Sequence, residues 1–163
     1  KITAQGSSNN SMWARGNAWG IYGYTMMYRE TGLERYRTMA QQAADVFIKR
    51  LPADTVPYWD FDAPVTPLTK KDASASAIAA SAFLDLSILA DTDINKKKYF
   101  KAAENQLSAL STGKYLAVGE KYQCVLLHSG YNAAKNHMPD VNMTFADYYF
   151  LEALHKLKAI RGK

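Results

Sequence analysis

The feature that most limits what this chain can fold into is a glycine, Gly32, set between two stretches of helical spacing. The first stretch runs from about Met12 to Thr31 and the second from about Glu34 to Leu51, with Pro52 beyond it. Gly32 can take the left-handed backbone that a helix terminus often requires. The connection it leaves is too short for anything but a reversal, so the two helices form an antiparallel hairpin. A helical hairpin cannot bury both of its faces alone, and the remainder of the chain has to supply the surfaces it packs against.

The pattern then repeats. Residues 53–71 form a long irregular segment rich in Pro and Asp that carries Tyr58, Trp59, Asp60 and Asp62. Asp72 is a good N-cap for a third helix, along which Ala75, Ile78, Ala79, Ala82 and Leu86 recur at helical spacing. A fourth helix is predicted over about Lys96 to Ser111, with Tyr99, Ala103, Leu107 and Leu110 facing inward. Residues 113–140 read as loops with two short extended pieces, near Tyr115 to Val118 and Gln123 to Leu127. The last helix is predicted to start at Thr144, capped with Asp147 three residues on, and to run to about Ile160. The fold class is all-α, built from antiparallel helical hairpins.

Composition excludes several functions. With 163 residues, 48% of them hydrophobic, the chain can form one domain with an ordinary core. No apolar run reaches the roughly 18 residues of a membrane span, and the first residues have no apolar stretch of the kind a signal peptide carries. A soluble protein, cytoplasmic or periplasmic, is expected, with no membrane partner. The net charge of +5 is modest and its bases are dispersed, apart from Lys96, Lys97 and Lys98, which read as a solvated face. No basic stripe interleaved with aromatics points to nucleic acid. The single cysteine, Cys124, is expected to be a buried, inert thiol. Neither a metal nor another cofactor is implied: His137 and His155 are too far apart to suggest ligation, and no phosphate loop or nucleophile elbow is present.

The most chemically unusual place is the start of the first helix. Arg15 sits where the helix dipole and unpaired N–H groups favour anions, so it needs an anion nearby. Two sources are open, an internal Asp or Glu or a carboxylate on a ligand. Trp13 and Trp19 flank it with flat faces suited to a sugar ring, or equally to a core. Asp60 and Asp62 form a carboxylate pair that can act on a substrate or hold backbone N–H groups in loop turns. Tyr58 and Trp59 either line a cleft mouth or pack the loop down. His128 and Ser129, in a Leu-Leu-His-Ser-Gly run, are weaker candidates for facing a ligand.

Five blocks, residues 13–32, 56–64, 72–87, 126–132 and 146–154, resemble in order and spacing the unsaturated glucuronyl hydrolases of glycoside hydrolase family 88. The resemblance implies a partial (α/α)6 barrel, in which residues 1–163 are the C-terminal half of the domain. It implies substrate-binding roles for Thr3, Gln5, Arg15 and Trp19, and for an unsaturated uronate-bearing oligosaccharide as the ligand. Both aspartates that the family uses for catalysis would precede the position matching Lys1, leaving this chain without a catalytic residue. Asn17 stands where Gln is common, and a related family acting on unsaturated rhamnogalacturonides often has Asn there. Ser129 and Lys135 lie where some members recognise sulfate, although the local spacing departs from that pattern. The reaction implied is vinyl-ether hydration: protonation of a C4=C5 double bond, addition of water, and ring opening that releases the sugar.

Two rivals accompany this reading. One is a helical carbohydrate-binding or scaffold module that lacks catalysis. The other is a hydrolase using Asp60 or Asp62 as its acid. Helices over 73–89 and 145–160 carry apolar residues around more than one face, so they are expected to need partners on two sides. Those partners would come from a missing half barrel or from self-association.

Overall fold

A computed structural model describes residues 3–119 and 123–162; Lys1 and residues 120–122 of the predicted loop lie outside the described residues. Five α-helices carry the fold: α1 (Ala14–Thr31), α2 (Glu34–Arg50), α3 (Ala73–Leu89), α4 (Asp93–Leu110) and α5 (Thr144–Arg161). One 3-10 turn over Ala133–Lys135 interrupts the last loop. Among the described residues the extended pieces make only isolated bridges, one of them joining Leu116 and Leu126 in the two regions where short extended segments are predicted.

Local chemistry sets the boundaries. Gly32 has φ +67 and its N–H donates to the Tyr28 carbonyl, ending α1 in the left-handed turn that only glycine adopts without strain. Asp72 caps α3 by accepting from the Ala75 N–H at 3.2 Å. Two helix starts differ from the sequence expectation, and the last helix starts at Thr144 as expected but with a different cap. Helix α1 begins at Ala14, not Met12, because Met12 and Trp13 are paired in extended form with the 59–61 segment: Phe61 N donates to Met12 O and Ala14 N to Trp59 O. Helix α4 begins at Asp93 because Thr92 caps it, accepting from Asn95 N at 3.2 Å. Thr144 does not cap α5. The N-cap is Met143, and Asp147 reaches away from the helix end to accept from Leu126 N at 2.8 Å.

That last bond ties the long loop onto α5. Leu126 is fully buried, so removing its acceptor strands an N–H where water cannot replace it. Asp147→Ala is expected to cost about 1–3 kcal/mol in urea unfolding; a loss no larger than that of an exposed control would mean that the loop is held without it.

Helix α3 is the centre of the molecule. It packs on α4 as a hairpin partner and lies between α1 and α5. Its Ala-rich surface allows close approach on every side, and thirteen of its seventeen residues are buried. The expectation that α3 needs outside partners is therefore corrected: α1, α4 and α5 of this chain cover it. Helix α5 meets the expectation in part, since Tyr148, Leu151 and Leu154 remain exposed along it, as do Met26, Met27, Leu33 and Met39 on the first hairpin. Cys124 is half-buried, not buried, and burial still pushes its thiol above the ordinary value.

Helices α1, α3 and α5 run parallel. Their first turns meet around Arg15, which touches Asp72 and Phe145. About two turns further on, Tyr22, Ser81 and Glu152 meet in turn. Three parallel helices, two of them backed by the antiparallel partners α2 and α4, are the inner and outer layers of an α/α barrel, here partial.

Candidate functional site

Three helix N-termini at one end of the inner layer make a region of positive potential, and Arg15 adds a full cation to it. The anion that Arg15 requires is Asp72, the N-cap of α3, at 2.8 Å. Both side chains are buried, at 5% and 1% exposure, so the pair is shielded from screening. The guanidinium is satisfied on several sides at once. Its Nη1 group also donates to the Gly130 carbonyl, and Nη2 donates to Tyr131 O at 2.9 Å and to Gln5 Oε1 at 2.9 Å. Its plane lies over the Trp13 ring at 4.9 Å and the Phe145 ring at 5.4 Å. Burial pushes the Asp72 carboxyl upward, while Arg15, the Ser74 hydroxyl and the Ala75 N–H pull against it.

Of the two anion sources left open by the sequence, the internal carboxylate is present, 57 residues away along the chain. The same contacts gather Gln5, Trp13, Arg15 and Tyr131 into one cluster. Because Arg15 donates to Gln5 Oε1, the Gln5 amide nitrogen is turned away from it with both hydrogens free of that bond. Thr3 joins through the loop: its Oγ1 accepts from Gly6 N at 2.9 Å. Asn132 Nδ2 donates to Ala4 O at 3.1 Å, so residues 3–11 are laced onto the 130–132 turn.

Trp19 lies one turn below Arg15 on α1, half-buried against Tyr149 at 5.0 Å and Phe145 at 6.3 Å. Tyr22 meets Tyr149 at 5.1 Å, which continues an aromatic wall between α1 and α5. Below it a polar ladder spans all three inner helices. Glu152 accepts from Tyr22 Oη at 3.1 Å and from the Ser81 hydroxyl, and Lys156 bridges Ser81 at 2.9 Å and Asp85 at 2.8 Å. Burial raises the Glu152 carboxyl, but Ser81, Lys156 and Tyr22 hold it below the usual carboxylate range.

The aspartate pair is engaged, with Asp60 bridged in extended form to Trp13. Asp60 is fully buried, with Oδ2 accepting from Ser7 N at 2.8 Å and Ser11 Oγ at 2.7 Å and Oδ1 accepting from Asp62 N at 2.9 Å. Asp62 is paired with Arg50 at 2.5 Å and accepts from Met12 N at 2.7 Å, and these contacts hold it below its ordinary value. Both fasten loops, as the turn-holding alternative describes. Trp59 lies in the same paired segment, and Tyr58 lies under the Lys71 ammonium at 4.0 Å. Neither joins the Arg15 cluster.

His128 has φ +63 and its ring pairs with Asp140 at 2.9 Å, while its carbonyl accepts from Ala73 N at the start of α3. A surface cavity of about 490 Å³ lies beside it, lined by Leu127, His128, Asp140, Val141 and Asn142. Ser129 is fully buried and its hydroxyl has no partner among the described residues. The Asn17 side-chain oxygen is likewise buried without a partner there. His137 and His155 are exposed, and no group of metal-ligating side chains occurs among the described residues. No described helix is long and apolar enough to cross a membrane.

Sequence reasoning did not single out Tyr131, Phe145, Tyr149 or the ladder residues Tyr22, Ser81, Glu152 and Lys156. The Glu152 and Lys156 spacing of four was a usable signal, since such pairs share a helix face. The other members are brought together only by helices far apart in sequence.

No protein-family profile matches the chain. In sequence it is 42% identical over 161 residues to an unsaturated glucuronyl hydrolase of Formosa agariphila, an alignment covering 96% of this chain and 39% of that protein. It is 35% identical over 157 residues to an unsaturated glucuronyl hydrolase of Bacillus sp. (strain GL1), covering 96% of this chain and 42% of the relative. In structure it superposes with a TM-score of 0.93 on an unsaturated glucuronyl hydrolase specific for heparin, at 42% identity, over 99% of this chain and 43% of the other. A further solved relative, with a TM-score of 0.88 and 35% identity, is a complex with dGlcA-Glc-Rha-Glc, of which this chain covers 42%. The chain matches unsaturated glucuronyl hydrolases in sequence and fold along nearly its whole length, and spans about two fifths of theirs.

Proposed function

We propose that this chain is the substrate-binding portion of an unsaturated glucuronyl hydrolase, a glycosidase that releases a 4,5-unsaturated uronate from the non-reducing end of an oligosaccharide by hydrating its vinyl ether. The observation that carries the reading is the cluster at the inner-helix N-termini, which is lined by the Gln5 amide held by Arg15 and by an aromatic wall. A uronate offers what those groups accept: a carboxylate, a ring flattened by its double bond, and hydroxyls.

In this arrangement Trp19 stacks on the planar ring, and Gln5 and Thr3 hydrogen-bond its substituents. Arg15 acts through Gln5, whose amide it orients; its charge is met by Asp72, and its own donors are largely taken by Asp72 and the two carbonyls. The acid that protonates the double bond comes from the part of the relatives that this chain does not span. The domain assignment, residues 1–163 as the C-terminal half of an (α/α)6 barrel, belongs to the same proposal.

The test uses this chain joined to the first-half polypeptide of such a barrel and an unsaturated chondroitin disaccharide, with the double-bond absorbance as readout. Turnover is expected, and Trp19→Ala is expected to weaken KM by ~5- to 30-fold, the scale of a lost sugar-stacking aromatic of ~1–2 kcal/mol. Binding of the disaccharide without any loss of absorbance would overturn the hydrolase reading in favour of a binding module.

A further inference from the structure

We infer that Glu152, about two turns along the inner layer from the Arg15 cluster, is a positioning residue that sets the Trp19 ring for the sugar stacked on it. That Trp19 meets a sugar rests on the uronide reading; that Glu152 sets the ring does not.

Trp19 is half-buried and is placed by ring contacts, edge-on to Tyr149 at 5.0 Å and tilted to Phe145 at 6.3 Å. Tyr149 is met edge-on in turn by Tyr22 at 5.1 Å. Each such contact is weak singly, so a row of rings keeps one geometry only if an end of it is fixed. Tyr22 is the fixed end. Its hydroxyl donates to Glu152 Oε1 at 3.1 Å, and the Lys156 ammonium lies over its ring at 5.2 Å. Glu152 follows Tyr149 by three residues on α5, so the carboxylate and the middle ring of the row share a helix face.

The carboxylate is itself held. Its Oε2 accepts from the Ser81 hydroxyl on α3 and lies 3.3 Å from Lys156, which donates to Ser81 at 2.9 Å and to Asp85 at 2.8 Å. Arg29 approaches Asp85 at 3.7 Å, so two carboxylates meet two cations and the charges of the network balance. A balanced network has little charge left for a ligand, and what it does instead is tie position. Tyr22, Ser81 and Glu152 come from α1, α3 and α5, so one carboxylate registers the row of rings to all three inner helices. A bond from a hydroxyl to an ionised carboxylate is stronger than one between neutral groups, which suits it to this task. Burial and the nearby Glu152 push the Tyr22 phenol upward, so it stays a donor at neutral pH.

The experiment uses this chain joined to the first-half polypeptide of such a barrel, and reads tryptophan emission without ligand as well as KM and kcat for an unsaturated chondroitin disaccharide. Tyr22→Phe removes the hydroxyl and keeps the ring, and Glu152→Leu removes the acceptor. Each is expected to shift the emission, and the shift is expected to vanish when the same substitution is made on Trp19→Phe. Each is also expected to raise KM ~3- to 10-fold with kcat held within ~2-fold, the mark of lost binding and not of lost chemistry. Glu152→Gln, whose amide can still meet the Tyr22 hydroxyl, is expected to recover most of that loss. On Trp19→Ala neither substitution is expected to raise KM further, because the ring it positions is gone. A rise in KM of the same size on Trp19→Ala, or an emission shift that survives Trp19→Phe, overturns the positioning role. Where the disaccharide is neither bound nor turned over, the uronide reading fails and the emission decides: a Trp19-dependent shift in Tyr22→Phe upholds the positioning, and an unchanged spectrum overturns it. Tyr22→Phe carries the test alone if Glu152→Leu does not fold.

Discussion

Arg15→Ala is expected to cost about 3–5 kcal/mol of folding stability, the penalty of leaving one partner of a buried ion pair behind. Asp72 stays at the N-terminus of α3 with its charge uncompensated, and the Gly130 and Tyr131 carbonyls and Gln5 lose their donor as well. Against a total of about 5–15 kcal/mol this is a large fraction, and in a domain of this size it corresponds to a fall of roughly 6–20 °C in Tm. Lysine is expected to rescue little, because one ammonium cannot span four acceptors that a planar fork reaches together. Combining Arg15→Ala with Asp72→Asn is expected to recover part of the loss, since the amide can still cap α3 without carrying a buried charge. The measurement is a thermal melt of the single and double variants. A melt within about 2 °C of the wild type, with affinity for an unsaturated uronide lost, would make Arg15 a ligand-binding residue and not a structural one.

This pair also marks how far the sequence could be followed. An arginine at the start of a helix announces a missing anion, and Asp72 announces a cap, but 57 residues separate them and no local rule joins the two. Gly32 and Asp72 were readable because the constraint each obeys is a backbone conformation or a bond three residues away. Thr92 was readable in principle by the same rule and was passed over for the lysines that follow it. Asp147 misled because its bond to Leu126 is tertiary and competes with the helix end for the same carboxylate. The Ala-rich pattern of α3 correctly signals burial on every side. It cannot say which elements do the burying, and here the chain's own α1, α4 and α5 suffice. The Arg15 cluster was legible as residue types and the aromatic wall in part, since Tyr149 faces Trp19 only once α1 and α5 run parallel.

The chain without the rest of a barrel is expected to show no turnover of unsaturated disaccharides, lower than the completed protein by at least the ~10²- to 10⁴-fold that a positioned general acid contributes. Protonating a vinyl ether needs a carboxyl that keeps its proton near neutral pH and reaches the substrate. The prominent buried and paired carboxylates here each fail one of those conditions. Asp62 is held below its ordinary value by Arg50 and the Met12 N–H. Glu152 is held low by Ser81, Lys156 and Tyr22. Asp72 is pushed upward by burial, but it is fully enclosed and locked to Arg15, Ser74 and the Ala75 N–H. Asp60 is equally enclosed, with both oxygens accepting from loop donors. In the completed protein, Asp60→Asn should therefore act on stability, by loosening residues 7–11 and 62, and leave kcat unchanged in whatever fraction folds. Loss of double-bond absorbance by this chain alone, abolished by Asp60→Asn in a variant that still melts cooperatively, would instead make Asp60 the acid and the chain a self-sufficient hydrolase.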